Sequence, residues 1–186
     1  MKKNKKLNII FLDVDGVFNC QLHYETKQFM DYRDAKKKLR KSVKAKLIEK
    51  LDYYKSQICS DRIKMMNQLC KDTNSKVVIS STWRSGKTIE ELQEMFNYCG
   101  ATFEIISKTG HDGSRVRGVE IKQWLDANCM ELFGIHSFDF YRYAIIDDDN
   151  DMLIGQQDHF FQTDSYSGLT PTTCYNIKRF FTHKTF

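Results

Sequence analysis

Short apolar runs alternate along this chain with stretches in which apolar residues recur every third or fourth position. LNIIFL at 7–12 is a nearly unbroken apolar run that leads into a glycine turn, the pattern of a strand covered on both faces. KVVIS at 76–80 and RYAIID at 142–147 read the same way, and TFEIIS at 102–107 and HFFQT at 159–163 are weaker strand candidates. Helical spacing fills the gaps. Ser60 is placed to cap a helix through about Asp72, with Ile63, Met66, Leu69 and Cys70 on one face. TIEELQEMFNY at 88–98 opens on a capping box from Thr88 to Glu91. Residues 118–130 space Val119, Ile121, Trp124, Leu125 and Cys129 at near-helical intervals, and 172–182 form a last helix with Pro171 close to its start.

Strands alternating with helices predict an α/β domain built on a mainly parallel sheet. In such sheets a ligand sits beyond the carboxyl ends of the strands. The three strongest strands end there in Asp13 and Asp15, in Ser80 and Ser81, and in Asp147, Asp148 and Asp149. Polar side chains are thereby sent to one edge. Residues 20–58 do not fit the alternation and read as a helical cap or hairpin inserted over that edge. At 186 residues the chain suits one domain, 1–186, with that insertion inside it.

Charge sharpens the picture of the insertion. The chain is +5 overall, but RDAKKKLRKSVKAKLIEK at 33–50 holds nine Lys/Arg against two acids. That segment is +7 and leaves −2 for the rest. It is either a solvated helix face or a surface for a polyanion, with Lys37, Lys38 and Arg40 among the candidate phosphate contacts. The six cysteines show no CxxC spacing and read as reduced thiols of a cytoplasmic protein. The apolar run near the N-terminus is shorter than the h-region of a signal peptide, and nothing approaches the ~20 apolar residues of a membrane span.

The chemistry starts at IIFLDVDGVFN, residues 9–19. Two carboxylates one residue apart repel each other and raise each other's pKa. A divalent cation offsets that repulsion, and Mg²⁺ suits oxygen ligands. One aspartate can then attack phosphorus, and a second can protonate the leaving oxygen and later activate water. Gly16 lets the backbone turn sharply between strand and loop. The bland alternative is that both acids merely cap a turn.

LDVDGVFN resembles the first motif of the haloacid dehalogenase (HAD) superfamily, VVISS its second motif, and IIDDD its fourth, in the family's order. The resemblance implies a Rossmann-like HAD fold and an Mg²⁺-dependent phosphohydrolase working through an aspartyl-phosphate. It implies Asp13 as nucleophile, Asp15 as general acid/base, and Ser80 as the hydroxyl on the transferring phosphoryl group, with Ser81 as the alternative register. It implies a metal site of Asp13, Asp15 through its carbonyl, Asp147 and Asp148. The third motif is usually a lysine; Arg117, opening VRGVEIKQWL, stands at the matching place, and the two are not interchangeable. Lys122 is expected to point elsewhere, and Asp149 and Asp151 to be solvated or to stand behind the site.

SSTWRSG, RGVEIKQWL, AIIDDDNDM and FFQTDSYSGLT together look like the small HAD domains of nucleic-acid (RNA) repair proteins and the phosphatase domain of polynucleotide kinase/phosphatase. The likeness spans about 7–182 and covers 20–58 poorly. It implies removal of a phosphate from a nucleic-acid or nucleotide end, and leaves open whether a separate kinase or ligase is a partner. Arg84 is then a candidate grip on the scissile or next phosphate, against a capping or surface role. Trp83 is a core indole or a platform for a base, and His111 and Asp112 are loop residues within reach of substrate. No P-loop and no zinc spacing is present. A small-metabolite phosphatase and a catalytically silent nucleic-acid-binding domain are the alternatives.

Overall fold

The computed structural model describes residues 8–39, 53–111, 113–133 and 142–183. Among the described residues, five strands make one parallel sheet: β1 (Asn8–Leu12), β2 (Ser75–Ile79), β3 (Ile105–Lys108), β4 (Arg142–Asp147) and β5 (Phe160–Gln162), in the order β3-β2-β1-β4-β5. β1 lies in the middle, and all five of its residues are buried. That explains its apolar run: with helices on both faces, no position along it can be polar without cost.

Alternation along the strands splits the core in two. Ile10, Leu12, Val77, Ile79, Ala144 and Ile146 face α3 (Ser60–Thr73), α4 (Ile89–Tyr98) and α6 (Pro171–His183). Ile9, Phe11, Val78, Tyr143 and Ile145 face Ile121, Trp124 and Leu125 of α5 (Arg117–Phe133). The Phe11 ring meets Trp124 edge-on at 5.3 Å between centroids. Aromatic pairs of this geometry add about 0.5–1.5 kcal/mol beyond the area they bury.

The capping box at the start of α4 is present, with Thr88 and Glu91 each accepting from the other's backbone. Ser60 is not a cap. It is the first residue of α3, and Cys59 holds the cap position. β3 begins three residues later than the 102–107 pattern suggests. The residue before it still contributes a contact, since the Glu104 carbonyl accepts from Val77 N at 2.9 Å, and a register irregularity between Val77 and Val78 passes over Ile106.

Between β1 and β2 lie α1 (Gln21–Tyr24), α2 (Lys27–Leu39) and a short helical stretch at 53–57. The basic run continues beyond the described part of this connection. Lys37 and Lys38 fall on α2, and Arg40 lies outside the described residues. Among the described residues, no helix is long and apolar enough to cross a membrane. Cys20, Cys59, Cys70, Cys99 and Cys174 are free thiols.

Candidate active site

Ladder hydrogen bonding runs one residue past the strands. Asp13 N donates to Ile146 O at 2.9 Å, Ser80 N to Leu12 O at 3.0 Å, and Thr163 N to Asp147 O at 2.9 Å. The polar residues at these strand ends are therefore pinned by a neighbouring strand before the chain turns away. Asp13, Ser80 and Asp147 come to one edge for this reason, and all three are buried.

Asp13, Asp147 and Asp148 each offer a carboxylate oxygen within 4.8 Å of the others, the one acidic group of this kind among the described residues. Burial first, and then the Asp147 charge, push the Asp13 carboxyl well above the usual carboxylate range, while Arg117 and a hydrogen bond from Ser81 pull it back. Asp147 is raised as well, chiefly by burial and against the pull of Arg117. Asp148 is raised by burial and by Asp149. Hard oxygen donors held together against their own repulsion are what a small divalent cation stabilises. Gly16 makes room for them. At φ +68° it runs so close to Asp148 that a Cβ there would lie 2.1 Å from the carboxylate.

Arg117 ties the acids together. Its Nε donates to Asp147 Oδ2 at 3.3 Å and its Nη2 to Asp13 Oδ1 at 3.4 Å. Its Nη1 donates to the Ser80 carbonyl and to Glu120 Oε2, the latter at 3.2 Å. The place expected for a lysine is thus filled by a planar fork that serves three carboxylates at once, two of them in the acidic cluster. Behind it, Asp151 Oδ2 accepts from Arg117 N at 2.7 Å and anchors the first turn of α5.

Arg84 does not line the opening of the site. It is 2% exposed, and its donors go to Thr109 O, Ser80 O, Ser81 O, Gly110 O and Glu120 Oε2. A guanidinium with its five N–H groups so committed has none left for a phosphate. Arg84 is a buried strut that holds the loop after β2 to the loop after β3. It shares Glu120 with Arg117, so one buried carboxylate carries both cations.

Of the two serines, it is the Ser81 side chain that helps to lower the Asp13 pKa. Ser80 Oγ is buried with no partner among the described residues, and its carbonyl serves both arginines. The chain turns at Ser81 into a 3-10 turn, Thr82–Arg84, and Ser81 Oγ caps that turn by accepting from Trp83 N at 3.4 Å. Asp15 is exposed, at the mouth of the site, and Trp83 Nε1 donates to both of its oxygens at 3.0 and 3.1 Å. Trp83 is therefore neither a wholly buried core indole nor a free platform. His111 turns back onto Arg84 and Ser85, at 3.2 Å each, and Asp112 lies outside the described residues. Lys122 pairs with Asp126 at 2.6 Å on the outer face of α5.

The structure adds Glu120 and Asn19, which the sequence patterns above do not point to. Glu120 does stand in the RG-x-E piece, three residues after Arg117, which is helical spacing for a contact.

A search of curated proteins returned no match, and a search of solved structures returned none. A protein-family model described as the HAD domain in Swiss Army Knife RNA repair proteins matches residues 9–174, from β1 into α6. With its parallel α/β sheet and acidic edge, the chain belongs to that family of HAD domains.

Proposed function

We propose that the protein is a metal-dependent phosphohydrolase that removes a terminal phosphate from a nucleic-acid or nucleotide end. The observation that carries this reading is Arg117 spanning Asp13 and Asp147 inside a cluster of three carboxylates at the carboxyl edge of the sheet. Asp13, Asp147 and Asp148 would hold Mg²⁺, with the Asp15 carbonyl as a further oxygen. Bound there, Mg²⁺ supplies positive charge that polarises a phosphate oxygen.

The chain's own groups carry the two steps. A carboxylate oxygen of Asp13 bonds to phosphorus as the bond to the leaving oxygen breaks, and Asp15 gives its proton to that oxygen. Asp15 then takes a proton from water. The water oxygen bonds to phosphorus, the bond to Asp13 breaks, and phosphate leaves. Arg117 and Ser81 stabilise the charge around Asp13 and the transferring group through donors already fixed in place. Burial of Asp13 keeps bulk water from the nucleophile.

RNA ends are the substrates that the family's description favours. The basic run at 33–50 supports a polynucleotide, since clustered Lys and Arg hold phosphate backbones. A separate kinase or ligase would then act on the cleared end. The test is phosphate release in Mg²⁺ from 3′- and 5′-phosphorylated RNA and DNA oligonucleotides, mononucleotides and sugar phosphates, each with wild type and Asp13→Asn. Preference for one oligonucleotide end, lost in the variant, supports the proposal and names its polarity. Preference for sugar phosphates keeps the chemistry and discards the end-repair reading. Silence throughout favours a binding domain.

A further inference from the structure

We propose that Trp83 is the positioning residue that aims Asp15 at the leaving oxygen, an inference that rests on the acid/base role assigned to Asp15 above. Asp15 needs such help. Asp13 is buried and anchored to Ile146 O, whereas Asp15 stands exposed two residues further, where the backbone has left the sheet. An exposed aspartate is free to change rotamer, and a proton donor that wanders is a poor one.

Two donors fix it. Trp83 Nε1 reaches Oδ1 at 3.0 Å and Oδ2 at 3.1 Å, and Asn19 Nδ2 reaches Oδ1 at 2.5 Å. Asn19 is itself held, because its Oδ1 accepts from Gly16 N at 3.1 Å. Oδ1 thus has two donors and Oδ2 one, which leaves Oδ2 as the oxygen with room for the transferred proton. An indole N–H only donates, so it can orient the carboxylate without ever competing for that proton.

The indole is braced in turn. Its backbone sits in the turn capped by Ser81 Oγ, and Lys87 Nζ donates to Trp83 O at 2.8 Å. The Tyr54 ring packs on it at 5.6 Å between centroids. Next in sequence, Arg84 locks the same turn to the buried carbonyls of the β2 and β3 loops. Position is thereby passed from the sheet, through the turn, to a carboxylate the sheet does not reach.

The experiment is a series of phosphate monoesters with leaving groups from p-nitrophenol to simple alcohols, read as kcat/KM against leaving-group pKa. Wild type, Asp13→Asn, Asp15→Asn, Trp83→Phe and a variant carrying benzothienylalanine at 83 are compared. The last keeps the bicyclic shape and replaces N–H by sulfur, so it guards against a packing defect. A poor leaving group needs its proton and a good one does not. Removing the indole N–H is expected to steepen the dependence in the direction of Asp15→Asn. Alkyl esters should lose about 10- to 100-fold, a part of the ~10²–10⁴ that general acid catalysis supplies, and p-nitrophenyl phosphate should lose less. An equal loss on every ester in both Trp83 variants would overturn the inference. Unchanged slopes for Asp15→Asn, or turnover by Asp13→Asn, would instead sink the mechanism beneath it.

Discussion

The inner wall of the site and its outer rim are built on different principles. On the wall, Asp13 and Asp147 are buried and pinned by ladder hydrogen bonds at the strand ends. Arg117 joins them, and Glu120, Arg84 and Asp151 stand behind Arg117. On the rim, the Asp15 carboxylate is exposed and held by side chains alone, from Trp83 and Asn19. Groups that repel each other have to be fixed by backbone, because side-chain freedom would let them separate. A group that must meet different leaving oxygens gains from being set on the rim, where the approach is open.

The contrast yields graded expectations, the largest on the wall. Asp13→Asn replaces the nucleophile by an amide and should lower kcat on the order of 10⁴-fold or more, as loss of a covalent nucleophile does elsewhere. Steady-state phosphate release measures it. Retained turnover would remove Asp13 from the chemistry.

Arg117→Lys keeps the charge but loses the planar fork that donates to Asp13 and Asp147 from separate nitrogens, and should cost about 10²-fold in kcat, the scale of losing one fixed donor at a developing charge. Glu120→Gln sharpens the distinction between chemistry and scaffold. It leaves two arginines sharing no buried carboxylate, and breaking such a pair costs about 3–5 kcal/mol. Its denaturant midpoint should fall more than that of Arg117→Lys. Equal midpoints would show that Glu120 serves Arg117 alone.

Metal and pH give a third, smaller effect. Asp13 and Asp147 have folded-state pKa values raised above those of the unfolded chain. Over the interval between the two, the folded state holds more protons, so the metal-free fold loses stability as pH rises from the ordinary carboxylate range through neutrality. Mg²⁺ should restore it, and the rise in Tm on adding Mg²⁺ should be larger at pH 8 than at pH 5.5. Asp147→Asn should shrink that rise and also stabilise the metal-free protein at pH 8. A rise in Tm that ignores pH would contradict a metal held by these acids.

The least effect on chemistry is expected farthest from the wall. Neutralising Lys36, Lys37, Lys38, Arg40 and Lys41 together should raise KM for oligonucleotides and flatten its salt dependence. The log–log slope should fall by up to about 0.7 for each single-strand phosphate that these side chains neutralise. p-Nitrophenyl phosphate should not respond. Equal effects on both substrates would take the polyanion role from this segment.

What the chain's pattern discloses follows the same division. β1 and β4 are legible because continuous apolar runs stop abruptly at acids, and those acids are the site. The position of Arg117 is legible only through the resemblance to the HAD motifs, at the place of the third motif ahead of IIDDD. The pairs that brace it from behind are not. Arg84 meets Glu120 36 residues away, and Asp151 meets Arg117 N 34 residues away, so no local spacing announces either pair. Arg84 in particular looks like a phosphate ligand in a row of polar residues, and only its burial shows that its donors are spent. Ser80 and Ser81 differ by one position at a turn, where the alternation that assigns faces within a strand no longer holds.

The most direct measurement is a single-turnover reaction with an oligonucleotide carrying a ³²P-labelled terminal phosphate, quenched in acid within the first turnover. Transfer of label to wild-type protein, in a peptide that contains Asp13, and none to Asp13→Asn, is the predicted result. Release of free phosphate by wild type with no labelled protein at any time, and undiminished release by Asp13→Asn, would contradict it.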